Sequence, residues 1–231
     1  MYPFFGGTFA EGEVFVFFSK RCLMKGYFIS VEGGDGSGKS TQIKKIEAYL
    51  QEKGLEYILT REPGGTPVAE KIRELILDPA NKALTGRAEM LLYAASRAQH
   101  VEEKILPALE AGKVVLSDRF TDSSIAYQAY GRGLGNMVAE VNRIATGGKE
   151  PDLTIFLNIT PAAGMARKNN QDGHVLDRLE LEKAAFHETV YEGYLALARE
   201  SGGRIADIDA DRPAEEVFAD IKARLDQLFG F

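Results

Sequence analysis

The run Gly33-Gly34-Asp35-Gly36-Ser37-Gly38-Lys39-Ser40 constrains the fold more than any other feature of the chain. It fits the pattern G-x-x-x-x-G-K-S/T, which works only between the end of a strand and the start of a helix. The flanks supply both. Tyr27–Glu32 reads as a strand, and Ser40–Lys53 as a helix with Ile43, Ile46 and Leu50 on one face. Between them the glycines let backbone N–H groups turn inward around phosphate oxygens, and the helix N-terminus adds its dipole. Gly33, Gly34, Asp35, Gly36, Ser37, Gly38, Lys39, Ser40 and Thr41 are therefore the candidate residues for binding ATP or GTP. In such a loop the lysine, here Lys39, reaches the β- and γ-phosphates and the hydroxyl, here Ser40, ligates Mg²⁺.

The rest of the chain alternates short apolar runs with helical patterns. Tyr57–Thr60, Lys113–Asp118, Leu153–Asn158 and Arg204–Ile208 are expected as further strands. Helices are expected at Val68–Leu77, at Ala88–Ala111 with a break near Pro107, and around 136–146, 180–200 and 213–228. Strands alternating with helices imply right-handed crossovers and a parallel sheet with ligands at its carboxyl end. The expectation is an α/β fold of the P-loop NTPase kind, a three-layer α/β/α sandwich around a five-stranded parallel sheet. An apolar fraction of 45% in 231 residues suits one such domain, and no linker or repeat divides the chain.

Residues 1–23 stand apart. They carry six of the 13 Phe, yet their longest apolar run, Val14–Phe18, is too short for a secretory or membrane-spanning segment. They read as an N-terminal extension ahead of a usual start at Met24, leaving 24–231 as the domain and the cytoplasm as the expected location.

Composition narrows the function. A net charge of -6 argues against a general binder of nucleic acid or anionic membrane, while leaving room for an anionic substrate held by focused cations. One Cys excludes an intramolecular disulfide, and three scattered His give no zinc-ligand spacing. A regulatory GTPase is disfavoured because the only Asn-Lys pair, Asn81-Lys82, is followed by Ala83-Leu84 and lies too early for N-K-x-D. A polar segment at Asn169–His174 fits a small-molecule kinase with a closing lid.

Five further motifs stand in register: Phe28-Ile29-Ser30-Val31-Glu32-Gly33, Thr60-Arg61-Glu62-Pro63-Gly64-Gly65-Thr66, Leu92-Tyr93-Ala94-Ala95-Ser96-Arg97, Asp118-Arg119-Phe120 and Ala126-Tyr127-Gln128. Together they resemble the thymidylate kinases of bacteria, from about Tyr27 to the C-terminus. The resemblance implies transfer of the ATP γ-phosphoryl group to dTMP, with Mg²⁺ and a homodimer. It implies that Arg61 and Arg119 hold the dTMP phosphate, where a guanidinium fork suits two oxygens at once. It assigns Tyr93 to stacking on thymine and Arg97 to its O4, although spacing alone makes Tyr93 core and Arg97 a solvated face. Tyr127 crowds out a ribose hydroxyl in the family, and Ser123 and Gln128 line the same pocket, with ordinary helix packing as the alternative. Asp35 and Asp118 are expected to position Mg²⁺ or orient arginines, which places Asp35 in both nucleotide sites, Asp118 with Ser40 at the metal, and Lys39, Asp35 and Arg119 in catalysis. The lid, about 164–178, offers Arg167, Lys168 and Arg178, of which Arg178 and Arg167 are the candidate catalytic cations. That basic set is thinner than the family's, and Gly36 stands where the eukaryotic form carries an Arg.

Overall fold

The computed structural model describes residues 25–168 and 177–231. The aromatic extension and the middle of the lid, with its Asn169–His174 segment, lie outside the described residues. Five strands, β1 (Tyr27–Glu32), β2 (Tyr57–Arg61), β3 (Val114–Asp118), β4 (Leu153–Asn158) and β5 (Ile205–Asp209), form one all-parallel sheet in the order β2-β3-β1-β4-β5. The central strands are buried on both faces, which is why they read as near-continuous apolar runs. Where hydroxyls are buried there, they pair: Ser30 on β1 and Thr154 on β4 lie 2.9 Å apart across the ladder.

Helices α1 (Lys39–Glu52) and α9 (Ala214–Phe229) cover one face, with Ile43, Ile46 and Leu50 packed together with Val217, Ile221 and Leu225. The other face is covered by α3 (Gly86–His100), by α8 (Ala184–Glu200), and by a helical stretch running from α5 (Thr121–Ser124) through a π-helical segment, Ile125–Gly131. Helices α2 (Pro67–Leu77) and α6 (Met137–Thr146) flank α3 on either side. No helix among the described residues is long and apolar enough to cross a membrane.

The expected break near Pro107 falls before it. Helix α3 passes into a π-helical segment, Val101–Ile105, and resumes as α4 (Leu106–Glu110) with the proline in its first turn. A proline has no N–H to donate and its ring crowds the carbonyl four residues back, so the preceding turn widens. Two helical stretches are not anticipated by periodicity: Thr121–Gly131 and α7 (Pro161–Lys168). Helix α8 starts four residues later than expected, because the Asp177 carboxylate accepts from the N–H groups of Leu179 and Glu180 and holds a turn there.

Helix α7 sits directly on the P-loop. Gly36 has φ 69°, and a Cβ there would lie 1.9 Å from the carbonyl oxygen of Gly164 on α7. A Cβ on Gly164 would lie 2.3 Å from the Asp35 carbonyl oxygen. Both contacts are backbone to backbone, so no side chain can swing aside. Gly164→Ala is expected to displace α7 or the loop and weaken ATP binding about tenfold or more, an overpacking effect. Titration with ATP checks this, and an affinity within twofold of the parent would disprove the close approach.

Candidate active site

The loop after β1 and the loop after β3 meet because these strands are neighbours in register, with Val31 opposite Asp118. In the P-loop the Lys39 ammonium donates to the carbonyls of Gly33 and Gly34, at 3.0 and 2.9 Å. Burial, reinforced by the Arg119 charge, pushes the Lys39 pKa down to about 8, against the pull of Asp118, Asp35 and Glu32. Burial alone would raise the Asp35 carboxyl, but Arg119, Lys39 and Lys168 outweigh it and hold it below the usual range. Arg119 Nη2 and Lys168 Nζ each lie 3.7 Å from Asp35.

One orphaned atom bears on whether the site suits a metal. Asp118 Oδ1 is buried with no partner among the described residues, and Asp118 lines the same cavity as Ser40. A P-loop hydroxyl beside a free carboxylate oxygen fits Mg²⁺, which keeps most of its waters and takes its remaining ligands from nucleotide phosphates. No group of three or more His, Cys, Asp or Glu able to hold a metal by itself is present among the described residues.

Beside the P-loop one pocket brings together Asp35, Arg61, Tyr93, Arg97, Asp118, Arg119, Ser123, Tyr127 and Gln128, all of them expected from sequence. Arg97 is not a solvated face. It is 2% exposed, and Nε donates to Glu62 at 2.7 Å. Nη1 donates to Asn142 and Ser124, and Nη2 to the Phe120 carbonyl. Four of its five N–H groups are thus committed, leaving one on Nη2. Gln128 gives its amide group to Glu89 at 2.9 Å, which fixes its oxygen as the atom without that partner. Arg61 is the most loosely held, pairing at the half-exposed rim with Glu70 at 3.0 Å.

Arg119 owes its position to an unusual backbone. With φ 72° it is the only described non-glycine residue at positive φ, a conformation costing about 1–2 kcal/mol for a residue with a Cβ. Its own N–H donates to the Val31 carbonyl and its carbonyl accepts from Ser117 Oγ, so both strands hold the turn.

The candidate lid cations are not brought to the P-loop. Arg178 is buried against α2 and α3, with Nη2 donating to Glu89 at 2.6 Å and Nε to the Ile76 carbonyl. A carboxylate already buried and held by Gln128 and Arg132 is a stronger draw than an open crevice. Arg167 turns the other way and donates to the Ala210 carbonyl and to Asp211, between β5 and α9. Among the described residues of the lid, the cation that does approach the loop is Lys168, which also pairs with Glu180.

Four residues beyond the sequence-derived set matter. Arg73 lines the same pocket and donates to the Pro63 carbonyl, while burial and the neighbouring Arg61 charge depress its pKa, a repulsion that a bound anion would relieve. Its place on the buried side of amphipathic α2 gave no chemical signal. Glu62 accepts from Arg97 on one oxygen and from His100 Nδ1 on the other, and since a carboxylate only accepts, His100 carries its proton there. Glu89 is the fully buried anchor of Arg132 and Arg178. His187 lines the pocket with Nε2 buried and unpartnered among the described residues.

If phosphate replaces carbonyls as the partner of Lys39, the ammonium form gains. Nucleotide binding is then expected to take up a proton above pH 8, with affinity flat below and falling up to about tenfold per pH unit above, until the bound-state pKa is reached. Calorimetry at pH 8.5 in buffers of different ionisation enthalpy measures this uptake. Lys39→Met should abolish it, and zero uptake in the parent would contradict the assignment.

The thymidylate kinase family pattern matches residues 31–221. The chain is 50% identical to the thymidylate kinase of Geobacillus sp. (strain WCH70) over 209 residues, covering 90% of this chain and all of that one. It is 52% identical to that of Lactobacillus delbrueckii subsp. bulgaricus, covering 85% and 93%. The crystal structure of thymidylate kinase from Ehrlichia chaffeensis superposes with a TM-score of 0.69 at 30% identity, over 87% of this chain and 98% of that one. A P-loop facing an arginine- and tyrosine-lined pocket, in a chain matched nearly end to end, places this protein in the thymidylate kinase family.

Proposed function

We propose that this thymidylate kinase moves the γ-phosphoryl group from ATP to dTMP by direct in-line transfer, with the P-loop as donor site and the arginine-lined pocket as acceptor site. A dTMP phosphate oxygen attacks the γ-phosphorus as the bond to the ADP oxygen breaks, yielding dTDP and ADP. No general base is required, because a phosphate monoester with a second pKa near 6 is already largely dianionic at neutral pH. Catalysis then consists of alignment and charge neutralisation. Lys39 carries the β- and γ-phosphates, Arg119 and Arg61 carry the acceptor phosphate, and Asp35 keeps Arg119 and Lys168 facing the junction. Ser40 and Asp118 are the residues to hold Mg²⁺, which when bound neutralises charge on the β- and γ-phosphates.

The observation that carries the reading is the pair of free polar atoms in the acceptor pocket. Arg97 keeps one N–H, a donor, and Gln128 keeps its carbonyl oxygen, an acceptor. Thymine offers the complement, an acceptor at O4 and a donor at N3. Cytosine inverts both, and each unmet buried group costs about 1–3 kcal/mol. Tyr93 stacks on the base and Tyr127, with Ser123 nearby, faces the sugar. A coupled ADP-release assay with Mg-ATP should show turnover with dTMP and at least about thirtyfold less with dCMP, two such mismatches at the low end. Arg97→Ala should shrink that ratio, and equal use of dCMP or thymidine by the parent would overturn the assignment.

A homodimer accounts for apolar side chains left outside. Val68 and Leu75 on α2, Leu91 on α3, and Met137 and Ile144 on α6 are exposed on three helices packed side by side. The charged substrates, ATP and dTMP, support a cytoplasmic enzyme acting on small molecules rather than nucleic acid or membrane. A chain begun at Met24 is expected to keep the full turnover rate and to sediment as a dimer. A monomeric mass, or loss of activity on removing 1–23, would refute the respective part.

A further inference from the structure

Glu32 is the last residue of β1, fully buried, and has no part in the mechanism above. Its two oxygens divide the work. Oε1 accepts from the Phe120 backbone N–H at 2.7 Å, immediately after the strained Arg119. Oε2 accepts from Ser123 Oγ at 2.5 Å and from Tyr194 on α8 at 3.0 Å. Those same two hydroxyls lie 3.2 and 3.3 Å from Arg119 Nη1, which donates to both. A carboxylate offers no proton, and the two hydroxyls also lie 2.8 Å from each other, so their protons go to Glu32 directly or by way of one another and lone pairs are left facing Arg119. A guanidinium only donates, so those lone pairs are what Nη1 requires.

From this arrangement we infer that Glu32 is a positioning residue for the acceptor site: it polarises Ser123 and Tyr194 so that their oxygens hold one edge of Arg119, leaving Nη2 for the dTMP phosphate. The inference rests on the phosphate-binding role of Arg119 proposed above. Asp35 supports the geometry, since the contact it makes with Arg119 is at Nη2, 3.7 Å away and loose enough to yield to an anion. A neutral group in place of Glu32 would break the relay. An amide can itself donate, so a hydroxyl facing its NH₂ would turn its own proton toward Arg119. The charged groups around Glu32 are Asp122 on α5, itself bound by Arg204, then Arg119 and, from the P-loop side, Lys39; Tyr194 and Tyr127 complete the surroundings. Burial, with Asp122 adding to it, raises the Glu32 pKa to about 7, so the relay is lost progressively as pH falls below that value.

The test is Glu32→Gln in the full-length enzyme, with steady-state kinetics in both substrates. KM for dTMP is expected to rise about tenfold or more, the loss of a charge-assisted hydrogen bond, while KM for ATP stays within twofold. The rise in dTMP KM between pH 8 and 6.5 should also become smaller in the variant, leaving only the titration of dTMP itself. A merely structural role would move thermal stability and both KM values together, and that result, or an unchanged KM for dTMP, overturns the inference. Should the variant fail to fold, Tyr194→Phe carries the test: it removes one relay and is expected to raise KM for dTMP about threefold, with no change counting against it. Turnover of dTMP by the parent enzyme is measured first, so that failure of the kinase reading is told apart from failure of this one.

Discussion

The hydrogen-bonded pairing of β1 between β3 and β4 is the constraint from which the site follows. Chain order reverses at β1, with β2 and β3 on one side and β4 and β5 on the other. At such a point the loops leaving adjacent strands part and leave a crevice. Because the strands are parallel and in register, the P-loop and the Asp118–Arg119 turn leave the sheet at the same level. The ladder itself is stiffened from below. Thr154 donates to the Asp122 carboxylate, which also holds Arg204 at the start of β5, so the helix carrying Ser123 is pinned to two strands. Donor and acceptor groups are thereby placed by the most rigid part of the molecule.

Burying cations to hold anions creates a problem that the fold answers with carboxylates on other elements. Glu62 restrains Arg97, Glu89 restrains Arg132 and Arg178, and Glu32 restrains Arg119 through two hydroxyls. Removing one partner from such a buried pair costs about 3–5 kcal/mol, because the other is left uncompensated. This explains how a protein of net charge -6 presents a cationic crevice. Much of the negative charge near the site is structural and sits behind the arginines.

Local sequence rules reveal the strands and the P-loop because both depend on near neighbours. β1 and β4 match their expected bounds, and the glycine run sits between strand and helix as the motif requires. The stretch Thr121–Gly131 escapes such rules: α5 is only one turn long, and the π-helical turns that follow break the 3.6-residue period. Helix α7 is short, opens on a proline and carries a glycine in its middle, because that glycine must let the P-loop backbone approach, a long-range contact with no local trace. The acceptor residues were legible through family motifs, which mark chemistry directly. Glu89 and Arg178 were not separable in that way. Whether Arg178 faces ATP or a buried glutamate 89 positions away depends on a long-range contact with no local trace. Arg73 likewise shows only a helix pattern until the fold turns it toward the pocket.

What remains unsatisfied is as informative as what is paired. Six buried side-chain polar atoms lack a partner among the described residues; Asp118 and His187 line the pocket that holds Arg97 and Arg119, Thr66 lines the cavity shared by Ser40 and Asp118, and Ser37 lies in the P-loop itself. Each such atom costs about 1–3 kcal/mol, and evolution rarely leaves several together without use. The single open N–H of Arg97 and the open oxygen of Gln128 belong to the same pattern. The crevice is therefore built to be incomplete without nucleotides, and binding recovers energy already spent in folding it. Because α7 touches the P-loop backbone and Lys168 joins Asp35 to Glu180, the lid is tied to the junction between the two sites.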